Sequence, residues 1–215
     1  WKSFIAVNEA LKKANIIPMS VGAKDTFLLP MISEAFTSSV YGGKDFQKNI
    51  LAGDTTFEDP SYVKAISTFA SMNEYMPENV VGVSYTDSQT LFISGRAGMF
   101  PGGSFELGFF QASNPTLKIG VFPVPPAPGA ESKAAHTPGY VDGSWSLNAR
   151  SDQQAAALTL LRWMASKEFG QLFSNRLSQM SPIKGVTFTN PLLRQMAKTY
   201  AKHGSPYILI TDFRW

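Results

Sequence analysis

Stretches with helical apolar periodicity alternate with short apolar runs along this chain, and this alternation constrains its fold more than any other feature. Residues 3–14 carry apolar side chains at spacings of three and four, which predicts a helix that buries one face. The apolar run at 16–21 follows directly and indicates a buried strand. The order is repeated where a run at 97–100 leads through Gly102 and Gly103 into a further helix. Alternating helices and strands predict an α/β fold.

Local signals predict several element boundaries. Asp59 is a suitable helix cap and Pro60 a suitable first helical residue, so a helix is expected to begin there. Residues 86–88 are predicted to cap a second, shorter helix. The run at 118–122 predicts a strand, and the four prolines of 123–129 predict an extended surface segment, because proline cannot serve a central strand.

Two tryptophans are predicted to lie in the core. The helix expected over 153–165 carries a broad apolar arc, and Trp163 belongs to it. Residues 141–147 are predicted to be extended, so that Asp142, Ser144 and Ser146 share one face. Trp145 lies on the opposite, more apolar face and is therefore expected to be buried.

Charge and cysteine content exclude several classes of function. The chain has 215 residues, with 19 lysines and arginines against 16 acidic residues, and a net charge of +3. This scattered surplus is too small for nucleic-acid binding. Cysteine is absent and only two histidines are present, which argues against disulfides, thiolate nucleophiles, metal centres and cofactors. No apolar run reaches the ~20 residues of a membrane span. The start at Trp1, without a leader, indicates a processed or cut chain, and the lack of thiols suits an oxidising compartment.

Each candidate catalytic motif in the sequence lacks a residue or a partner that its chemistry requires. The stretch 102–106 resembles a nucleophile elbow, but it has glutamate where the sharp turn needs glycine. Two S-x-x-K matches, at 61–64 and 181–184, lack the partner motifs of an acylation site. His136 and Asp142 could act as a base and its orienting group, yet no nucleophile accompanies them, so a loop histidine near a turn aspartate is the preferred interpretation. The residues alone give catalysis no support.

Polar and aromatic residues recur where chain elements end. In α/β folds, ligands bind at the carboxyl ends of strands. Aromatic rings that stack on apolar sugar faces, together with carboxylates that accept hydroxyl protons, are the usual means of recognising neutral polyols. The residues with this placement are Asp25 and Phe27, Ser104 and Phe105, Tyr140 and Asp142, and Tyr207 and Trp215.

Four sequence blocks carry a family resemblance. They read ILAGDTTFEDPSYVKA at 50–65, FISGRAGM at 92–99 with GSF at 103–105, IGVFPVP at 119–125, and GSWSL at 143–147 followed by SPIKG at 181–185. In order and spacing they resemble the extracellular solute-binding proteins of ATP-driven (ABC) importers, the family-1 group that includes maltose-binding protein. The resemblance spans nearly the whole chain.

This resemblance implies a type II periplasmic-binding-protein-like fold, in which two α/β lobes close on a solute by hinge motion. Residues 1–138 and 190–215 would belong to the C-terminal lobe, and 139–189 would cross back into the N-terminal lobe. The family's chains are far longer, so this chain would be a fragment. The implied function is non-catalytic binding of a mono- or oligosaccharide and its delivery to ABC permease subunits. The intact protein would be an extracellular or periplasmic lipoprotein whose lipid anchor lies outside this chain.

The resemblance also assigns site residues one at a time. Thr26 and Phe27 match the first cleft loop, and Tyr140 with Asp142 matches the crossover. Phe105, in the strand-to-helix turn, stands where many sugar binders carry tryptophan. The complete predicted ligand-binding set is Asp25, Thr26, Phe27, Gly103, Ser104, Phe105, Tyr140, Asp142 and Trp215.

Two alternatives from other classes stay open. A glycoside-processing enzyme would use Asp142 and His136 and would turn over its sugar. A protein-docking or sensor module would present a partner surface away from the cleft.

Overall fold

A computed structural model describes residues 1–140 and 143–208. Within these residues the chain forms helices, four short strands, and two 3₁₀ turns at Ser71–Tyr75 and Val80–Gly82. The elements are α1 (Lys2–Lys13), β1 (Ile17–Met19), α2 (Leu28–Tyr41), α3 (Lys44–Ala52), α4 (Pro60–Ala70), α5 (Tyr85–Ile93), β2 (Ala97–Met99), α6 (Glu106–Ser113), β3 (Thr137–Gly139), α7 (Gln154–Met164), α8 (Lys167–Leu177), α9 (Pro191–His203) and β4 (Gly204–Pro206).

The strands form two parallel pairs. β1 pairs with β2, with Ile17 opposite Ala97. β3 pairs with β4, with Thr137 opposite Gly204 and Gly139 opposite Pro206. Parallel strands need crossover connections, which the intervening helices supply. The predicted α/β class is therefore confirmed.

The two predicted helix starts have different outcomes. At α4 the Asp59 carboxylate accepts a 2.9 Å hydrogen bond from the Ser61 amide, as the sequence predicts. The cap predicted at 86–88 is wrong, because α5 already begins at Tyr85 with Ser84 as its cap. The Ser84 hydroxyl accepts from the Asp87 amide at 3.1 Å, and the Asp87 carboxylate accepts from the Ser84 amide at 3.1 Å. This reciprocal box satisfies two amides that would otherwise lack partners.

Helix α2 forms the centre of the core, with 11 of its 14 residues buried. It packs against α4, where the rings of Phe36 and Phe69 lie 5.5 Å apart. A helix buried on every side must satisfy its polar groups internally. Accordingly, the Thr37 hydroxyl donates to the Ser33 carbonyl at 2.9 Å.

The chain divides into two compact units. The first contains residues 1–102, 117–140 and the stretch from Thr199 onward, and so holds α1 to α5 and both strand pairs. The second contains residues 103–116 and the stretch between Tyr140 and Thr199, which holds α6, α7, α8 and the start of α9.

Three structural predictions need correction. Residues 118–122 form no strand and lie within the irregular stretch 114–136. The prolines that follow, over 123–128, lack the N–H groups that would continue a ladder. Trp145 is 73% exposed rather than in the core. Trp163 is 38% exposed and packs at 5.0 Å against Phe169 of α8, while α7 buries none of its residues. The apolar arc of α7 exists, but among the described residues α8 covers it only in part.

Among residues 1–140 and 143–208, no helix combines the length and the apolar character that a bilayer crossing requires.

Candidate functional site

The loop after β1 carries the first predicted site residues, and its geometry is set by α5. One carboxylate oxygen of Asp25 accepts a 2.7 Å hydrogen bond from the backbone amide of Tyr85. Tyr85 is the first residue of α5, and a helix N-terminus attracts negative charge. Asp25 is thereby fixed in place across 60 residues of sequence.

Phe27 presents an aromatic surface beside this carboxylate. Its side chain is 54% exposed, and its ring meets the Tyr85 ring edge-on at 5.7 Å and 75°. Thr26, between Asp25 and Phe27, is also exposed. An exposed ring that is held by an edge-on neighbour can stack on the apolar face of a sugar at a small cost in conformational entropy.

Tyr140 forms a second aromatic pair, with Tyr207. Their rings lie 4.8 Å apart at 67°. The Tyr207 hydroxyl donates a 3.0 Å hydrogen bond to the backbone carbonyl of Met31. Burial, and then the nearby Glu34 carboxylate, raises the pKa of Tyr207, so its phenol stays protonated and keeps this bond at all physiological pH values.

The two aromatic pairs meet at the first turn of α2. The Phe27 carbonyl accepts from the Met31 amide at 3.2 Å, and the Met31 carbonyl accepts from Tyr207. Three predicted residues of the first unit, Asp25, Phe27 and Tyr140, are thus joined through one helical turn and its two tyrosine partners.

A buried carboxylate lies one turn further along α2. Glu34 is only 1% exposed, and its side chain accepts a 2.5 Å hydrogen bond from the Tyr41 hydroxyl. Burial, followed by Glu34, raises the pKa of Tyr41, and the same two causes in the same order raise the pKa of Tyr62 to about 12. The tyrosine donor stabilises the buried carboxylate and fixes the helix on which the site depends.

The other predicted residues that the structure describes lie in the second unit, at the start of α6. The carbonyls of Gly103 and Ser104 accept from the amides of Glu106 and Leu107 at 3.2 and 3.3 Å. A Cβ at Gly103 would overlap the ring of half-buried Phe105, so the ring lies directly on the glycine backbone. Glycine here is required by that close approach.

Several residues that lie at these sites are not among the predicted set. They are Tyr85, Glu34 and Glu106, of which Glu106 is 3% exposed. The S-x-x-D pattern at 84–87 would have located the α5 start, and hence Tyr85. An acidic residue within an apolar stretch that is predicted to be helical is the signal that points to Glu34, because charged residues are rarely buried without a partner.

The remaining predicted residues have simpler outcomes. Asp142 and Trp215 lie outside the described residues. His136, the potential base, is half-buried and places its Nδ1 at 3.1 Å from the Ser38 carbonyl. Within 1–140 and 143–208, no three acidic or histidine side chains are arranged to hold a metal ion.

Comparison with known proteins defines the family. Residues 1–171 match the profile of the bacterial extracellular solute-binding proteins. The chain therefore belongs to this family, as the sequence blocks predict. An uncharacterized ABC transporter extracellular-binding protein of Pyrococcus horikoshii is 25% identical over 122 residues, which are 56% of this chain and 27% of that protein.

Solved structures share the fold. The solute-binding protein RafE in complex with raffinose has a TM-score of 0.74 and 23% identity, over 97% of this chain and 56% of its own. A sugar transporter protein of Bacillus licheniformis in complex with stachyose has a TM-score of 0.74 and 15% identity, and the match covers 96% of this chain and 55% of that protein. The chain thus has a periplasmic-binding-protein-like fold and spans about half the length of these solved relatives and about a quarter of the curated one.

Proposed function

We propose that the protein binds a mono- or oligosaccharide without chemical change and delivers it to an ABC permease. The observation that carries this proposal is the exposed ring of Phe27, held edge-on by Tyr85 beside the anchored Asp25 carboxylate. A stacking surface next to a fixed hydrogen-bond acceptor is what a neutral polyol requires. Raffinose and stachyose in the two solved relatives support the same class of ligand.

The predicted site residues of the first unit each have a role in this proposal. Phe27 stacks on an apolar sugar face, while the Asp25 oxygen that does not bond Tyr85 accepts a sugar hydroxyl. Thr26 donates or accepts at the rim, and the Tyr140 ring adds a second apolar wall. These four residues lie in the first unit.

The turn before α6 supplies further contacts in this proposal: Phe105 stacks on the ligand, and Ser104 and the Gly103 amide hydrogen-bond to it. The two lobes of the fold that the resemblance implies would close over the solute by hinge motion. Asp142 and Trp215, which lie outside the described residues, are included as ligand contacts because the resemblance implies them. The division into a C-terminal lobe over 1–138 and 190–215 and a returning segment over 139–189 is part of this proposal.

The proposed setting is the outside of the cell or the periplasm, where a lipid anchor beyond this chain would hold the protein near its permease. Family membership supports the location, and the resemblance to importer proteins supports the partner.

A thermal-shift screen of the full chain against raffinose, stachyose, xylo-oligosaccharides and chitin oligosaccharides tests this function. A bound ligand raises the melting temperature by mass action, in a concentration-dependent way. The proposal expects such a shift with at least one sugar and an unchanged sugar on chromatography afterwards. Product formation would replace it with a glycoside-processing enzyme, and no shift with any sugar class would contradict it.

A further inference from the structure

Helix α5 is seated on the fold by a polar residue. The structure describes all nine residues of α5, and the only buried one is Ser88, which is 1% exposed. Helices of globular proteins usually bury an apolar face, because packing of that face supplies most of their stability. Apolar contact is non-directional, whereas a hydrogen bond fixes both a distance and an angle. The hydrogen bonds of Ser88 therefore define the position of the first turns of α5 more narrowly than apolar packing would.

The carbonyl and the hydroxyl of Ser88 are both hydrogen-bonded. The carbonyl accepts a 2.5 Å hydrogen bond from the hydroxyl of Ser20, which is buried. The Ser88 hydroxyl donates to the backbone carbonyl of Tyr85 at 2.6 Å. A buried hydroxyl that lost its partner would cost free energy, so both bonds are expected to persist in solution.

Strand pairing fixes Ser20 itself. This serine directly follows β1, and its backbone amide donates to the Met99 carbonyl of β2 at 2.8 Å. The Ser20 hydroxyl thus connects the β1–β2 pair to α5 across 68 residues of sequence. The far end of α5 is held separately, because the ring of Phe92 packs 6.0 Å from that of Phe100. Loss of the Ser20 bond should therefore shift the first turns of α5 rather than unfold the helix.

Tyr85 connects these bonds to the candidate site. It lies three residues before Ser88, about one helical turn away. Its backbone amide donates to Asp25 at 2.7 Å, and its ring meets the Phe27 ring at 5.7 Å. A shift of this turn would therefore change both contacts together. An acceptor and a stacking ring that serve one ligand tolerate only small displacements.

We propose that Ser20 and Ser88 are positioning residues of the ligand site, which form a buried relay of hydrogen bonds from the end of β1 to Tyr85 and so hold Asp25 and Phe27 in place. This inference rests on the proposed function, because it concerns the affinity of the same site. Both serines are buried, so they act on the ligand only through Tyr85.

Three substitutions separate the relay from ordinary packing. Ser20→Ala removes the donor to α5, and Ser88→Ala removes the donor to Tyr85 while alanine favours the helix. Ser20→Cys keeps the size of the side chain and a weak donor, so it should recover part of what Ser20→Ala loses. Ser38→Ala is the matched control, because Ser38 is also buried and its hydroxyl has no hydrogen-bond partner among the residues that the structure describes.

Amide hydrogen exchange of the full chain tests the relay without any ligand. The amide of Tyr85 reports its bond to Asp25, and the amide of Phe36, in the buried part of α2, reports the stability of the core. In Ser20→Ala and Ser88→Ala the Tyr85 amide should exchange about tenfold faster or more, beyond any change at Phe36. An equal factor at both amides would indicate a merely structural role and overturn the proposal. An unchanged Tyr85 amide would overturn it as well.

Calorimetric titration tests the effect on the ligand, with the sugar that gives the largest shift among raffinose, stachyose, xylo-oligosaccharides and chitin oligosaccharides. Affinity should fall about fivefold or more in Ser20→Ala and Ser88→Ala, the loss expected from one hydrogen bond of ordinary strength. Ser20→Cys should lie in between, and Ser38→Ala should bind as the wild type does. Wild-type affinity in both Ser20→Ala and Ser88→Ala would overturn the proposal. A wild-type protein that binds none of these sugars would instead contradict the proposed function, while the exchange test would still decide whether the relay holds Tyr85.

Discussion

The hydroxyl of Tyr207 donates a 3.0 Å hydrogen bond to the backbone carbonyl of Met31, a residue 176 positions earlier in the chain. This bond ties the Tyr140 and Tyr207 rings to the helical turn that follows Phe27. The candidate site of the first unit therefore depends on a long-range hydrogen bond from a tyrosine side chain to the backbone of α2.

Replacing Tyr207 by phenylalanine should destabilise the protein. The substitution removes the donor and leaves a part-buried carbonyl without it, which costs about 1 kcal/mol of unfolding free energy. Urea denaturation measures this cost. Tyr200→Phe is the control, because its side chain is 43% exposed, and it should change stability much less. Equal losses in the two variants would show that the Met31 bond does not matter.

Phe27→Ala should weaken sugar binding without weakening the fold. Lost stacking should cost ~1 kcal/mol of binding free energy or more, and calorimetry of the full chain measures it. Because the ring is 54% exposed, its removal should lower unfolding stability only slightly. Phe109→Ala, which removes a 46% exposed ring outside the predicted set, is the control and should bind as the wild type does. Unchanged affinity in Phe27→Ala would exclude the ring from the site.

Phe105→Ala tests the contribution of the second unit. We expect it to lower sugar affinity by ~1 kcal/mol or more through lost stacking. Gly103→Ala should act in the same direction, because the new methyl group displaces the ring that lies on the glycine backbone. Gly120→Ala is the matched control, since a Cβ there meets open space. Wild-type calorimetric affinity in both Phe105→Ala and Gly103→Ala would place this turn away from the ligand.

The cap of α4 should give the protein a defined acid dependence. Hydrogen bonds from Ser61, and then from Thr55, lower the pKa of Asp59 below its ordinary 3.8. Its contribution to stability is therefore full above that value and is lost as the pH falls through the lowered pKa. Asp59→Asn keeps a capping acceptor but cannot titrate, so thermal melts between about pH 2 and about pH 5 should show a shallower slope than wild type. An identical slope would mean that the carboxylate charge contributes nothing.

Local chemistry made part of the fold predictable. The Asp59 cap with Pro60 at the first helical position, and the break at Gly42 and Gly43, are set by residues within a few positions of one another. The Ser84 cap was available from the same kind of pattern but was placed two residues too late. Such signals do not depend on the tertiary contacts of the helix.

Tertiary contacts account for most of what the sequence did not reveal. The bond from Tyr85 to Asp25 and the ring that holds Phe27 join segments about 60 residues apart, which no local pattern encodes. Trp163 was predicted as core because periodicity reports an apolar arc and not the element that covers it. Residues 118–122 were predicted as a strand but lie in irregular structure, because an apolar run alone does not determine which segments pair into a sheet.

A crystal structure of the full chain, grown with the sugar that gives the largest thermal shift, tests the central claim most directly. The account predicts a sugar ring in van der Waals contact with the Phe27 ring, about 4 Å away, and a sugar hydroxyl hydrogen-bonded to the free oxygen of Asp25. Sugar density elsewhere, with Phe27 and Asp25 facing only solvent, would contradict it.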